Sequence, residues 1–272
     1  MAPGPGTAEA QAALWGARPR DWAEIQEGTV RPLYDAVLDA IGAAVGTRLL
    51  DIGCGAGMAA QLAAERGADV SGFDATEALL EIARERTPAG DFRQGDMETL
   101  PFDDDSFNAV VSFNGVQFAG HPVGALREAG RVTAPGGTVA VATWGDPDRC
   151  DAPAVMASYR DLVPAPPPGA PGPFALAAPG ALEDLVEQAG LHPRRTQEVT
   201  TVWRYPDLAT ALRGLTAAGP ATAAIAAGGQ DAVHEAITTG LAPFAATAGG
   251  GYELSNVFRY VVATAGEAPT GA

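Results

Sequence analysis

The segment LLDIGCGAG, Leu49 to Gly57, constrains this chain more than any other stretch. A short apolar run of the kind that forms a buried strand carries Asp51 near its end and passes directly into glycines at alternate positions, Gly53, Gly55 and Gly57. That spacing suits a tight strand-to-helix turn, because glycine takes positive φ without penalty and lets a ligand approach backbone amides with no Cβ in the way. Gly55 to Ala60 also fits the loose dinucleotide fingerprint, so the glycines alone leave a nicotinamide cofactor open.

From Thr47 to Trp144, apolar runs alternate with segments of helical spacing, the pattern of a parallel sheet with crossover helices. Strands are expected over 47–52, 69–73, 91–94, 107–113 and 138–144, with helices over 59–66, 76–86 and 123–132. Pro135-Gly136-Gly137 reads as a structural turn. Upstream, Trp15, Trp22, Ile25, Tyr34, Val37 and Leu38 are spaced as one or two amphipathic helices that pack on the sheet edge or close over a site. Downstream, the stretch 164–173 is so rich in proline that it reads as an irregular surface loop. A helix over 181–189 ended by Gly190, a strand over 195–205, an Ala-rich helical lid over 208–246 and a last strand over 254–264 complete the pattern. The expected fold is α/β and Rossmann-like, a mostly parallel seven-stranded sheet flanked by helices, with N-terminal helices and a helical lid insertion. Three stretches follow: a leader with capping helices (1–46), a cofactor-binding core (47–145), and a C-terminal half of the same domain (146–272).

Composition removes several classes of function. The 272 residues, 47% hydrophobic, are enough to bury a full core, yet no apolar run approaches the roughly 20 residues that span a bilayer. The opening MAPGPGTAEAQ has neither the basic start nor the apolar run of a secretory signal; it reads as a floppy leader, and the protein is expected in the cytoplasm. A formal net charge of −16 with no basic cluster argues against nucleic acid and anionic membrane as partners. Cys54 and Cys150 are far apart in sequence, suggest no disulfide framework, and read as reduced thiols. Oligomeric state is not readable.

What surrounds the glycine turn separates the candidate cofactors. DVSGFDAT ends in Asp74 and Ala75, about twenty residues after the turn, where a carboxylate accepts hydrogen bonds from both ribose hydroxyls of an adenosine cofactor. RQGDMETLPFDDDSFNAVVSFNGVQF then places Asp96 and Met97 after the third strand and Asn114 at the end of the fourth. With the glycine turn, these segments resemble the class I S-adenosylmethionine-dependent methyltransferases of the small-molecule branch. The resemblance implies that Asp51, Gly53 and Gly55 form the first cofactor motif, that Asp96 recognises the adenine amino group with Met97 beside it, and that Asn114 lies next to the methionine part. It implies S-adenosyl-L-methionine as cofactor and S-adenosyl-L-homocysteine as product. Trp22 and Tyr34 are read either as a cap over that cofactor or as core packing.

Methyl transfer asks the protein chiefly to hold nucleophile, methyl carbon and sulfur in line. Of the three histidines, His121 follows the fourth strand and is the best candidate for a base where the acceptor must lose a proton. The dense acidic group Asp103 to Asp105 belongs to a connecting loop, and no metal is expected. The substrate side is expected from Phe118, Trp144, Tyr159 and Trp203, with Phe113, Phe174 and Phe244 near them, which suits a small apolar or aromatic acceptor. O-, N- and C-methylation are all open. So are two other readings, an NAD-dependent oxidoreductase and a protein that holds S-adenosylmethionine without transferring its methyl group.

Overall fold

The computed structural model describes residues 6–163, 172–246 and 250–266. Its centre is a seven-stranded sheet in the order β3-β2-β1-β4-β5-β7-β6. The strands are β1 (Arg48–Ile52), β2 (Asp69–Asp74), β3 (Asp91–Gln94), β4 (Phe107–Phe113), β5 (Thr133–Trp144), β6 (His192–Tyr205) and β7 (Tyr252–Thr264). β1 to β5 are parallel, and β7 runs antiparallel to both β5 and β6. The near-continuous apolar runs Leu49-Leu50 and Val110-Val111 are those of strands covered on both faces. The chain leaves β1 toward β2 and β3 and then returns to its other side as β4. The carboxyl ends of β1 and β4 therefore flank a switch point, where open α/β sheets leave a crevice.

The helices are α1 (Ala8–Trp15), α2 (Pro19–Asp21), α3 (Arg31–Ala40), α4 (Met58–Glu65), α5 (Glu77–Arg86), α6 (Pro122–Val132), α7 (Ala152–Ser158), α8 (Ala181–Gln188), α9 (Leu208–Thr216), α10 (Gly219–Gly228) and α11 (Gln230–Leu241). One sheet face packs on α3, α4 and the lid helices, the other on α6 and α8. The lid expected between the last two strands is present as α9, α10 and α11. No helix among the described residues is long and apolar enough to cross a membrane.

Two expectations are corrected. β5 begins at Thr133, so Pro135-Gly136-Gly137 lies inside the strand. The register to β4 shifts between Phe107 and Ala109, and Gly136 takes φ +76°, so the extra residues are absorbed as a bulge. The supposed leader is helical from Ala8, because the Ala-rich stretch gains contacts from α10 that composition does not show. The loop over 164–173 lies outside the described residues except Gly172 and Pro173. Gly172 donates its N–H to the carbonyl of Gln117 at 3.2 Å.

The N-terminal segment is tied to the core by a buried ion pair. Glu27, in a 3-10 turn (Glu27–Val30), pairs with Arg86 at the end of α5; their side chains are 3% and 18% exposed. Arg86 also donates to the carbonyls of Ala56 and Ala23 at 2.8 and 2.6 Å, while a Glu27 oxygen accepts from the Met58 N–H at 3.3 Å. One guanidinium thus joins cap, glycine turn and α5. Arg86→Met is expected to cost about 3–5 kcal/mol in urea unfolding, because it strands a buried carboxylate, and adding Glu27→Gln should recover part of that loss. An Arg86→Met protein as stable as the parent would remove the pair from the account.

Candidate functional site

At the switch point a cavity runs from the glycine turn to an aromatic chamber under the lid. Gly53, Gly55, Trp22, Tyr34, Asp74, Ala75, Asp96, Met97 and Asn114 all line it, as do Phe118, Trp144, Tyr159 and Trp203. Asp51 lies beneath the wall, and His121 is not part of the lining.

The turn is shaped by local physics. Gly53, Gly55 and Gly57 take φ of +72°, +54° and +80°, a region costly for other residues. At Gly57 a Cβ would also fall 2.7 Å from that of Ala83, so α4 and α5 approach closely only there. The Gly53 N–H donates to the carbonyl of Phe73 at 2.7 Å, which fastens the turn to β2. Asp74 accepts from the Gly55 N–H at 2.9 Å through Oδ2 and from the Thr76 N–H at 2.8 Å through Oδ1. Each oxygen keeps a lone pair, so the amides fix the carboxylate in place and leave it able to accept two further hydrogen bonds. Asp96 is set similarly, its Oδ1 accepting from the Glu98 N–H at 3.0 Å. Asn114 holds φ +52°, a strained state for a non-glycine residue, and its Oδ1 accepts from the Gln117 side chain at 3.3 Å.

Charge is unbalanced under the turn. Asp51 is 1% exposed, and its Oδ1 is buried with no hydrogen-bond partner among the described residues. Burial, then the neighbouring Glu27 and Asp74, push its carboxyl well above the usual range. Burial likewise raises Asp74 and Glu27, opposed at Asp74 by its backbone amides and at Glu27 first by Arg86. The buried Asp51 and the half-buried Asp74 thus lie beside Glu27, whose charge alone is paired by Arg86, a setting that favours a cationic ligand. S-Adenosylmethionine, which carries a sulfonium and an ammonium, fits it, and the glycines leave room for its approach. Cys54 is buried, and burial pushes its thiol up, so it is a protonated, inert group.

The N-terminal segment closes the cofactor end. A π-helical turn (Trp22–Gln26) presents Trp22, whose ring meets Trp15 edge-on at 4.8 Å, and Trp15 in turn meets Phe118 at 5.6 Å. Thr7 Oγ1 donates to the carbonyl of Phe118 at 2.6 Å. Phe118 is thus part of this closure rather than of the deep chamber. In the chamber, Trp144 packs against Phe258, Phe174 and Trp203 at 4.5, 5.0 and 5.5 Å, and Tyr34 meets Phe113 edge-on at 4.8 Å. Phe244 does not line the cavity. His121 precedes α6 as its N-cap residue, and its N–H donates to Glu98 at 2.9 Å.

Sequence reasoning missed Thr7, Gln11, Glu27, Met156 and Phe258. Glu27 in particular reads as a solvated helix charge until its partner, 59 residues away, is brought to it. Phe258 stood in an expected strand, where alternation separates inward from outward faces but does not mark a cavity wall.

Comparisons with known proteins bear on the family and the fold. Residues 50–141 match the model of a methyltransferase domain. The chain is 39% identical over 120 residues to a demethylmenaquinone methyltransferase of Renibacterium salmoninarum, covering 44% of this chain and 51% of that one. It is 33% identical over 172 residues to a malonyl-[acyl-carrier protein] O-methyltransferase of Erwinia pyrifoliae, covering 63% and 62%. The match thus spans less than two thirds of either relative. In fold it resembles a geranyl diphosphate C-methyltransferase from Streptomyces coelicolor, at a TM-score of 0.57 and 14% identity over 97% of this chain and all of that one.

The raised Asp51 carboxyl has a measurable consequence. Its folded pKa lies above its unfolded value, so stability is greatest while the group is protonated and falls as pH rises through the folded pKa. Asp51→Asn should therefore unfold at a higher temperature than the parent at neutral pH, with the gap closing in acid. Equal melting temperatures at neutral pH would refute the electrostatic picture.

Proposed function

We propose, from the premise that this chain carries the methyltransferase domain of the class I family, that it binds S-adenosylmethionine at the glycine-turn end of the cavity and methylates a small molecule at the aromatic end. The observation that carries this reading is the continuity of the two ends in one cavity, with Asp74 and Asp96 on one side and Trp144, Tyr159 and Trp203 on the other.

The bound cofactor supplies a methyl group already activated by its sulfonium. Asp74 accepts the ribose hydroxyls through its spare lone pairs, and Asp96 with Met97 borders the adenine. Asp51, with Glu27 behind it, sets a negative field under the cationic end. Asn114 and Tyr34 stand where that end meets the chamber, and Trp15 with Trp22 excludes water. The chain's contribution to rate is orientation and dryness, since aligned neighbours remove much of the entropic cost of a bimolecular displacement. His121 is set aside as a base because the cavity is not lined by it. Among the described residues no group of three His, Cys, Asp or Glu side chains is placed to hold a metal ion. The unpaired Cys54 and Cys150 suit a reducing compartment such as the cytoplasm, and the net charge of −16 disfavours nucleic acid as a partner.

Isothermal titration with S-adenosylmethionine, S-adenosylhomocysteine and NAD tests the assignment. The first two should bind and NAD should not. Asp74→Ala should weaken both by about 1.5–3 kcal/mol through loss of hydrogen bonds to a charged carboxylate. Binding of NAD alone, or unchanged affinity in a folded Asp74→Ala protein, would contradict it.

A further inference from the structure

We infer that the aromatic chamber is built for an uncharged, largely apolar acceptor with one oxygen function, read by the Tyr159 hydroxyl, and that it rejects carboxylates and phosphates. The inference deepens the methyltransferase reading by naming the chemistry of the acceptor.

The first support is the charge of the walls. Of the described residues lining the cavity, only Asp74 and Asp96 are carboxylates, and both belong to the cofactor end. No arginine or histidine among the described residues lines it, and the chain contains no lysine at all. The chamber is walled by Phe113, Trp144, Val155, Met156, Trp203 and Phe258. A carboxylate or diphosphate entering it would shed its water and meet no cation, a penalty of several kcal/mol for each desolvated charge. A neutral ring system or hydrocarbon gains there instead, at about 25 cal/mol per Å² of apolar surface buried.

The second support is a polar group with no partner. Tyr159 lines the chamber, is 7% exposed, and its hydroxyl makes no hydrogen bond to any described residue. Burial alone pushes its phenol up, so at neutral pH it keeps its proton and donates. A ligand carbonyl, ether or hydroxyl oxygen in the chamber would accept a hydrogen bond from it.

The position of Tyr159 is also fixed in advance. It follows α7, whose first N–H, that of Ala152, donates to Asn256 Oδ1 at 3.0 Å. Asp151 accepts from the Ser255 N–H at 2.7 Å, fastening the same end to β7. At the other end α11 approaches so closely that a Cβ on Gly240 would sit 3.0 Å from Ser158 Oγ. A hydroxyl held this way loses little freedom on binding, which is what a specificity contact requires. The Tyr34 hydroxyl, also without a hydrogen-bond partner among the described residues, is assigned instead to the cofactor end, since the charges that act on it are Glu27, Asp51 and Arg86.

The test uses three probes of similar size on the full chain: 1-tetralone, tetralin and 1-naphthoate, followed by tryptophan fluorescence. S-Adenosylhomocysteine is titrated separately on every variant. Tetralone should bind several-fold more tightly than tetralin, and naphthoate at least about tenfold more weakly than tetralone, the range expected from one hydrogen bond and one unpaired charge. Tyr159→Phe should erase the tetralone preference and leave S-adenosylhomocysteine affinity unchanged. Met156→Arg, at a half-buried wall position, should raise naphthoate affinity at least about tenfold by supplying the missing cation. Naphthoate binding as tightly as tetralone, survival of the preference in Tyr159→Phe, or no probe binding to a chain that binds S-adenosylhomocysteine would each overturn the inference. Loss of S-adenosylhomocysteine binding in the parent strikes the cofactor reading instead, and the probe series still decides the character of the chamber.

Discussion

Two carboxyl groups, those of Glu27 and Asp51, are buried under the glycine turn with the half-buried Asp74 beside them, and the guanidinium of Arg86 pairs with Glu27 alone. The rest of the site depends on that imbalance. A core selected for stability alone would pair or remove such charges, because an unpartnered buried carboxyl raises the energy of the folded state. Their retention marks the floor of the turn as a place prepared for positive charge. The sheet makes this possible: β1 and β2 deliver Asp51 and Asp74 to the same end of the sheet, and the helices behind them keep water away. Desolvation, which makes the acids costly alone, also makes their attraction to a cation strong.

The N-terminal segment links that floor to the rest of the cavity. Glu27 reaches Arg86 and the start of α4, Trp22 stands over Gly55, and Tyr34 packs on Phe113 at the entrance to the aromatic chamber. Trp15 carries the closure to the lid, where Gly219 leaves room for its ring: a Cβ there would fall 2.9 Å from it. Cofactor end, chamber and lid are therefore held by one short segment. The π-helical turn at Trp22–Gln26 is the kind of irregularity that accompanies a functional role, since it widens the helix where side chains must face the turn.

Much of the sheet was legible because its signals are local. β3 and β4 fall where apolar runs place them, and the β1 turn follows from alternate glycines. β5 was read too short because Pro135-Gly136-Gly137 resembles a turn, whereas pairing with β4 carries the strand through it as a bulge. α1 was read as part of a leader because its small residues show no apolar stripe and none of its residues is fully buried; its place depends on α10 and Phe118. In the site, Asp74 was picked out by its spacing after the glycine turn and Asp96 by the family resemblance, and both line the cavity. Glu27 was not, since a lone glutamate in a helical stretch carries no mark of burial. His121 follows β4 in sequence, and the chain places it at the N-cap of α6, where it is not one of the described residues that line the cavity.

The electrostatic claim is most directly tested by the proton balance of cofactor binding. Calorimetric titration with S-adenosylmethionine, repeated in buffers of different ionisation enthalpy between about pH 5 and pH 8, reports protons released or taken up. A cation settling over the raised Asp51 carboxyl should drive its proton off, so net release is expected, with affinity rising as pH rises and both effects lost in Asp51→Asn. Binding that exchanges no proton anywhere in that range, with affinity independent of pH, would contradict the account.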